Sequence, residues 1–257
     1  MLAAPPATVV VIPCFDEADR LDVAGFVAFA REWPHGRFLF VDDGSRDATR
    51  AVLEKLTAEH PGSFHLLPLA QNAGKAEAVR QGMLAAFAMQ PSLAGYWDAD
   101  LATPLEVIPR FERLLAERPA CDIVMASRVR LLGRSIARRP SRHYPGRIFA
   151  TAVSMVLQLP VYDTQCGAKL LRVCPATHDL FLAPFRSRWI FDVEILLRLA
   201  AAWRRAGLDP EEKSYEFPLD TWRDVGGSKL RTRDFGRALL DLGHLLGEKR
   251  RGARGGE

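Results

Sequence analysis

The sequence predicts an α/β fold with a mostly parallel sheet and helices on both of its faces. Three observations carry this. Short runs of β-branched and aromatic residues recur, as at Thr8–Ile12, Phe38–Val41 and Ile123–Ala126. Stretches with apolar residues at helical spacing separate them, and such alternation marks parallel strands joined by helical crossovers. Sheets of this kind bind ligands beyond the carboxyl ends of their strands, and acids gather just after the runs at Asp42-Asp43 and Asp98-Ala-Asp100.

Taken in order, Thr8-Val-Val-Val-Ile12 is a buried strand ended by Pro13. A helix is expected over Asp19 to Glu32, with Leu21, Phe26, Val27 and Ala30 on one side. Phe38 to Val41 is the second strand, and the turn Asp42-Asp43-Gly44-Ser45 opens a helix running to His60. Phe64 to Leu67 reads as a third strand and Lys75 to Met89 as a helix. Tyr96-Trp97 ends a fourth strand, Pro104 starts a helix at its first turn, and Ile123 to Ala126 is the fifth strand. Beyond Arg128 come an Arg-rich loop, an apolar helix over Arg142 to Leu159 and a loop from Asp163 to Lys169. A helix over Asp192 to Arg205, a strand near Tyr215 to Pro218, a polar loop from Trp222 to Lys229 and a helix from Asp234 to Glu248 complete the order. The Gly- and Arg-rich tail, residues 249–257, is expected to be disordered.

The chain has 257 residues, 48% of them hydrophobic, with 35 Lys and Arg against 31 Asp and Glu, which excludes a disordered or fibrous protein. Its positive excess is local. From Ile123 to Tyr162 there is no acid but seven arginines, at 128, 130, 134, 138, 139, 142 and 147, and the remainder holds 28 basic residues against 31 acidic. Guanidinium binds phosphate oxygens through paired donors. The block therefore suits nucleic acid, a phosphorylated substrate or an anionic membrane, or else is a solvated face. Cys14, Cys121, Cys166 and Cys174 lack zinc-site spacing, and Met1–Pro6 has no basic, apolar leader, so a reduced cytoplasmic compartment is expected. No apolar run reaches the roughly 18–20 residues of a spanning helix. Ile148 to Val161 comes nearest, interrupted by Thr151, Ser154, Gln158 and Pro160.

The sequence holds no G-x-G, P-loop, H-E-x-x-H or G-x-S-x-G. Hydride transfer, P-loop NTP hydrolysis, zinc proteolysis and α/β-hydrolase chemistry lose their usual support. Asp98-x-Asp100 is the strongest motif left. Residues two apart at a strand end share one side, and Mg²⁺ takes one or two carboxylates with phosphate oxygens and water. Lying between Tyr96-Trp97 and a helix begun at Pro104, the pair reads as a metal site rather than a solvated turn. Asp42-Asp43 either caps the next helix or accepts from a base N–H or ribose hydroxyl. One cap does not need two acids, and Ser45 or Asp47 could cap alone. Glu17, at the first strand's end, has the same two readings.

In this order, Val-Val-Ile-Pro-Cys-Phe-Asp-Glu (10–17), Val-Asp-Asp-Gly-Ser (41–45), Asn-Ala-Gly-Lys (72–75) and Asp-Ala-Asp (98–100) resemble the nucleotide-sugar-binding half of glycosyltransferase family 2. Asp163-Thr-Gln-Cys-Gly-Ala-Lys169, Arg188-Trp-Ile-Phe-Asp-Val-Glu194 and Trp222 with Gly227-Ser-Lys229 narrow the likeness to its dolichyl-phosphate or polyprenyl-phosphate glucosyltransferase branch. The polyprenyl-phosphate mannose synthases are more distant relatives. The likeness covers residues 8–245 and implies a GT-A fold, a Rossmann-like single domain over 1–257. In it, residues 8–127 bind the nucleotide sugar and 128–248 the acceptor. It implies that Pro13, Glu17, Asp42 and Asp43 hold the nucleoside with Lys75 nearby. Asp98 and Asp100 would be the acidic motif, Asp100 the direct ligand of a Mg²⁺ or Mn²⁺ that grips the diphosphate. Two departures stand out. The branch's eukaryotic members carry a membrane-spanning N-terminal segment, which is not expected for this sequence, and Ala168 stands where an aromatic residue is common.

The implied reaction is inverting transfer of a hexose, glucose from UDP-glucose, to a polyprenyl phosphate. The leaving diphosphate must be neutralised, by the cation with Lys229 or nearby Arg223, which makes Asp100, Arg128 and Lys229 the catalytic candidates. A phosphate acceptor is ionised at neutral pH and needs orienting cations more than a base. That matches the Arg block: Arg128, just past a strand end, with Arg142, Arg147, Lys169 and Gln165 are the acceptor-binding candidates. For Asp163 and Gln165 the other reading is loop architecture. Of Asp192 and Glu194, Glu194 is expected to face inward. Peripheral attachment to the cytoplasmic membrane face would come from residues 148–161, which read equally as a core helix, and from basic residues after the last helix. The rivals are a soluble or glycan acceptor, a GDP-mannose donor, nucleotidyl transfer, which expects a Gly- and Arg-rich first loop, and nucleic-acid binding. No nucleic-acid partner is expected, because the Arg block interleaves few aromatics.

Overall fold

Residues 7–137, 150–188 and 190–223 are described in the structure, a computed structural model. Its strands are β1 (Thr8–Cys14), β2 (Gly36–Asp42), β3 (Phe64–Pro68), β4 (Leu93–Tyr96), β5 (Ile123–Ser127), β6 (Ser135–Ala137), β7 (Lys169–Arg172), β8 (Ser214–Pro218) and β9 (Thr221–Arg223). The helices are α1 (Val23–Glu32), α2 (Thr49–Glu59), α3 (Lys75–Ala88), α4 (Ile108–Glu117), α5 (150–157), α6 (Pro175–Asp179), α7 (Phe191–Arg205) and α8 (Pro210–Lys213).

Seven strands form one sheet in the order β3-β2-β1-β4-β7-β5-β8. All neighbours are parallel except β7, which runs antiparallel between β4 and β5. From β1 the chain winds outward through β2 and β3, then returns to place β4 on the other side of β1. The strand order therefore reverses between β1 and β4, and the crevice at such a reversal is where open α/β sheets hold ligands.

Alternation along the strands fills two cores. Val9, Val11, Leu39 and Val41 face one side, with Val79 and Met83 of α3 and Leu196 and Leu199 of α7. Val10, Ile12, Phe38 and Phe40 face the other, with Phe26 of α1, Leu53 of α2 and Phe111 of α4. The period-two pattern of a strand produces this division. α3 lies close on the sheet because Gly82 leaves room: a Cβ there would stand 2.4 Å from Val11 Cγ1.

Several elements differ from expectation. α1 begins at Val23, because Asp22 Oδ1 accepts from Gly25 N at 2.9 Å and caps the helix there. After Pro104 a 3₁₀ turn, Leu105–Val107, precedes α4. Lys169, expected at the end of a loop, instead starts β7, whose register pairs it with Tyr96 and Met125. The short pair β6–β9 was not expected. In α5, Val153 and Leu157 are buried, so this part of the apolar segment is core, with Met155 exposed. The expected last helix, the basic tail and residues 142–149 lie outside the described residues.

Candidate active site

The outlets of β1 and β2 are laced together. Asp16, at φ +51°, accepts from Arg46 N at 2.8 Å, and its own N–H donates to Ser45 Oγ at 3.1 Å. Glu17 N donates to Thr49 Oγ1 at 2.8 Å. Asp47 serves the start of α2, accepting from Thr49 N at 2.9 Å, so capping does not occupy the two acids before it. Asp42 accepts from Ser45 N at 3.1 Å. Glu17 pairs through Oε1 with Arg20, while its buried Oε2 has no hydrogen-bond partner. A buried carboxylate oxygen left in that state suits a ligand hydroxyl or N–H.

Asp43 is committed elsewhere. Its Oδ1 accepts from Ala73 N at 2.7 Å, and Oδ2 accepts from Asn72 Nδ2 and Gly74 N, both at 2.9 Å. It clamps the 72–74 loop against the end of β2 and so shapes the entrance to α3. Burial raises its pKa, and the Ala73 and Gly74 N–H groups oppose that rise. Arg188, which sequence reasoning did not select as a site residue, packs over this loop: a Cβ on Gly74 would lie 3.7 Å from its Nε. Gly74 itself has φ +92°, a left-handed conformation that favours glycine. Arg188 is exposed, and its charge also acts on Asp43.

Past β4, Asp98 is ion-paired with Lys75 at the start of α3. Asp100 accepts from Ala102 N at 3.1 Å. Its pKa is raised, first by burial and then by the negative charge of Asp98. Lys75 stays charged: burial works against it, but Asp98, Asp192 and Asp100 more than offset that. Excess negative charge, partly neutralised by one lysine, is an environment that a hard cation would complete. Among the described residues no cluster of three or more metal-ligating side chains exists. Two carboxylates with the remaining positions left to phosphate and water suit Mg²⁺.

β7 brings the next loop to this rim. Because it runs antiparallel, its first residue stands at the outlets of β4 and β5, and Asp163–Ala168 arrives beside both Asp98 and Arg128. Gly167 meets Asp98 so closely that an added Cβ would lie 2.0 Å from Oδ2. Gly167→Ala must therefore displace the whole Asp98 carboxyl group, since its Cγ would also lie 2.3 Å from the new Cβ. We expect kcat to fall about 100-fold with little change in thermal unfolding, because the side chain yields rather than the backbone. Steady-state kinetics beside a melting curve checks this.

Arg128 forks onto Asp163, Nε to Oδ2 at 2.6 Å and Nη2 to Oδ1 at 2.8 Å, and its Cζ lies 5.3 Å from the Trp222 ring centroid. Burial disfavours its charge, yet Asp163 drives its pKa up. Glu216 in turn accepts from the N–H groups of Tyr162 and Asp163 at 2.8 and 2.6 Å. Gln165 Nε2 is buried without a partner, a donor available to an oxygen of a ligand.

Two expectations need correction. Lys169 is not available to an acceptor phosphate. Its side chain is 0% exposed, and Nζ donates to Asp192 Oδ1 at 2.5 Å, Thr164 O at 3.0 Å and Cys166 O at 2.8 Å. An ammonium has three donors, and all are used inside the protein. The second is narrower: Glu194 does face inward, as expected, but so does Asp192. Both are buried on α7, Asp192 accepting from Lys169 and Tyr96 while Glu194 braces the N–H groups of Arg186 and Ser187. Arg142, Arg147 and Lys229 lie outside the described residues.

A sheet of this order with a carboxylate pair at its point of reversal suits a glycosyltransferase of GT-A fold. This chain belongs to glycosyl transferase family 2, whose model matches residues 9–176. Among curated relatives, a dolichyl-phosphate beta-glucosyltransferase of Drosophila melanogaster is 31% identical, the match covering 86% of this chain and 68% of that protein. One of Trichomonas vaginalis is 28% identical over 247 residues, covering 91% and 69%. Among solved structures, glucosyl-3-phosphoglycerate synthase of Mycobacterium tuberculosis with Mn²⁺ and UDP-glucose superposes with a TM-score of 0.59 at 16% identity, covering 91% of this chain and 75% of that one. That likeness shows the shared fold.

Proposed function

We propose that this chain transfers glucose from UDP-glucose to the phosphate of a polyprenyl lipid, with inversion at the anomeric carbon. The observation that carries the reading is the pair Asp98 and Asp100 at the sheet's reversal, joined through the Asp163–Ala168 loop to Arg128. The names of the curated relatives support glucose and a dolichyl-type phosphate as the transferred sugar and the acceptor.

In this reading Pro13, Glu17 and Asp42 line the nucleoside side, with Glu17 Oε2 accepting from it, while Asp43 acts through the loop it clamps. Asp98 and Asp100 would hold Mg²⁺ or Mn²⁺, which supplies charge neutralisation for the leaving diphosphate. Lys75 adds a fixed positive charge beside them, and Arg188 stands at the same rim. Arg128, held rigid by Asp163 through Nε and Nη2, orients the acceptor phosphate. Such positioning supplies much of the barrier reduction when the nucleophile is already ionised. Lys229, Arg142 and Arg147 keep their proposed roles from sequence, Lys229 at the diphosphate and the two arginines at the acceptor. No described helix is long and apolar enough to cross a membrane. Peripheral attachment at the cytoplasmic face is the proposed way to reach a lipid.

Incubation with labelled UDP-glucose, Mg²⁺ and a short polyprenyl phosphate should yield an acid-labile glycolipid. No product from any polyprenyl phosphate, with either UDP-glucose or GDP-mannose, would sink the reading. Arg128→Lys keeps the charge but loses the fork. We expect it to raise the acceptor KM about tenfold with UDP affinity unchanged by calorimetry. Lost UDP affinity would instead place Arg128 on the donor side.

A further inference from the structure

Among the described residues five large apolar side chains are exposed, Leu131, Leu132, Met155, Leu182 and Leu208, and only Leu131 and Leu132 are adjacent. Leu132 is fully exposed and Leu131 is 49% exposed. They form the tip of a turn closed by Arg134 N donating to Leu131 O at 3.2 Å, with Gly133 at φ +80°. A positive φ at that corner calls for glycine, but nothing in the turn calls for leucine beside it.

The tip stands on a fixed stem. β6 leaves the turn and pairs with β9, while Arg134 donates to Pro218 O at 2.8 Å and is ion-paired with Asp220, which Arg110 also holds. Arg130 is exposed just before the leucines, and no acid occurs from Ile123 to Tyr162. The turn bounds an open depression of about 470 Å³ with both apolar and cationic walls. Two leucines offer far less than the ~800 Å² per partner that a stable protein interface buries. An apolar tip with cations immediately behind it matches an anionic bilayer, where leucines enter the acyl boundary and arginines stay at phosphate level.

We propose that the Leu131–Leu132 turn is a wedge that inserts into the interface of an anionic membrane. It leads directly from Arg128, so insertion would bring the acceptor side of the site to the level of lipid phosphates. The biological sense of the wedge rests on the transfer reading above, but its test does not.

The test is co-sedimentation of the full chain with phosphatidylcholine vesicles containing about one third phosphatidylglycerol. Leu131→Ser with Leu132→Ser should weaken binding about tenfold or more and leave thermal unfolding unchanged. In a Leu132→Trp variant, the new indole should shift its emission to the blue with these vesicles and be quenched by brominated acyl chains. Equal binding by the wild type and the double variant, no binding by the wild type, or an indole that stays at its water-exposed maximum overturns the proposal. Turn-dependent binding without glucosyl transfer would remove the functional reading and leave the wedge standing. Transfer with vesicle binding indifferent to the turn would remove the wedge alone.

Discussion

Asp100→Asn is expected to lower turnover about 1,000-fold and to abolish the Mg²⁺-dependent part of UDP binding, while the metal-free protein unfolds at the same temperature or slightly higher. The loss of turnover comes from removing a fixed carboxylate at the point where the diphosphate must be gripped. The unchanged or raised stability comes from linkage. Burial and the Asp98 charge raise the Asp100 pKa in the folded protein, so the native state binds the extra proton more readily than the unfolded chain. Stability then falls as pH rises from the unfolded pKa through the folded one, and at neutral pH the ionised carboxylate is a net cost. Removing that charge relieves a repulsion and breaks no ion pair. A structural acid would behave in the opposite way. Calorimetry of UDP binding with and without Mg²⁺, beside a melting curve, separates the cases. Retained Mg²⁺ dependence would transfer the ligand role to another residue.

The acids at the strand ends were legible because buried parallel strands are near-continuous apolar runs. Thr8–Cys14, Gly36–Asp42 and Ile123–Ser127 stand out against any background, and the fold class alone puts the residues at their carboxyl ends on the ligand-binding rim. Roles within the site were less legible. Whether Asp43 faces a ligand or the protein depends on the 72–74 loop, which reaches it only after β3 has paired with β2. Arg188 opens one of the motifs that carry the family likeness, but nothing in that motif shows that its side chain lies against Gly74. Gly167 reads as one more loop glycine until Asp98 is seen against it.

β7 was missed for a related reason. Lys169-Leu-Leu-Arg172 has charge at both ends and only two apolar residues between them, too little for a strand by itself. Its conformation is imposed from outside by Tyr96 on one edge and Met125 on the other. The error in the role of Lys169 came with it. A lysine at the end of a polar loop is ordinarily solvated, whereas a lysine opening a central strand enters the protein, where its charge must be met.

That reassignment carries the second large effect. Lys169→Met should destabilise the chain by about 3–5 kcal/mol, because it leaves Asp192 as a buried carboxylate without its cation and frees the Thr164 and Cys166 carbonyls that Nζ ties down. Adding Asp192→Asn should recover much of the loss, since the amide still accepts from Tyr96 Oη while no charge remains buried. Urea unfolding of the two single variants and the double variant measures the coupling directly. A phosphate-binding lysine would give another pattern: an unchanged unfolding midpoint and a raised acceptor KM. The structural lysine moves both, because the loop it holds from within carries Gln165 and sets Gly167 against Asp98. Only the structural role predicts that the second substitution restores stability, and a double variant no more stable than Lys169→Met would refute it.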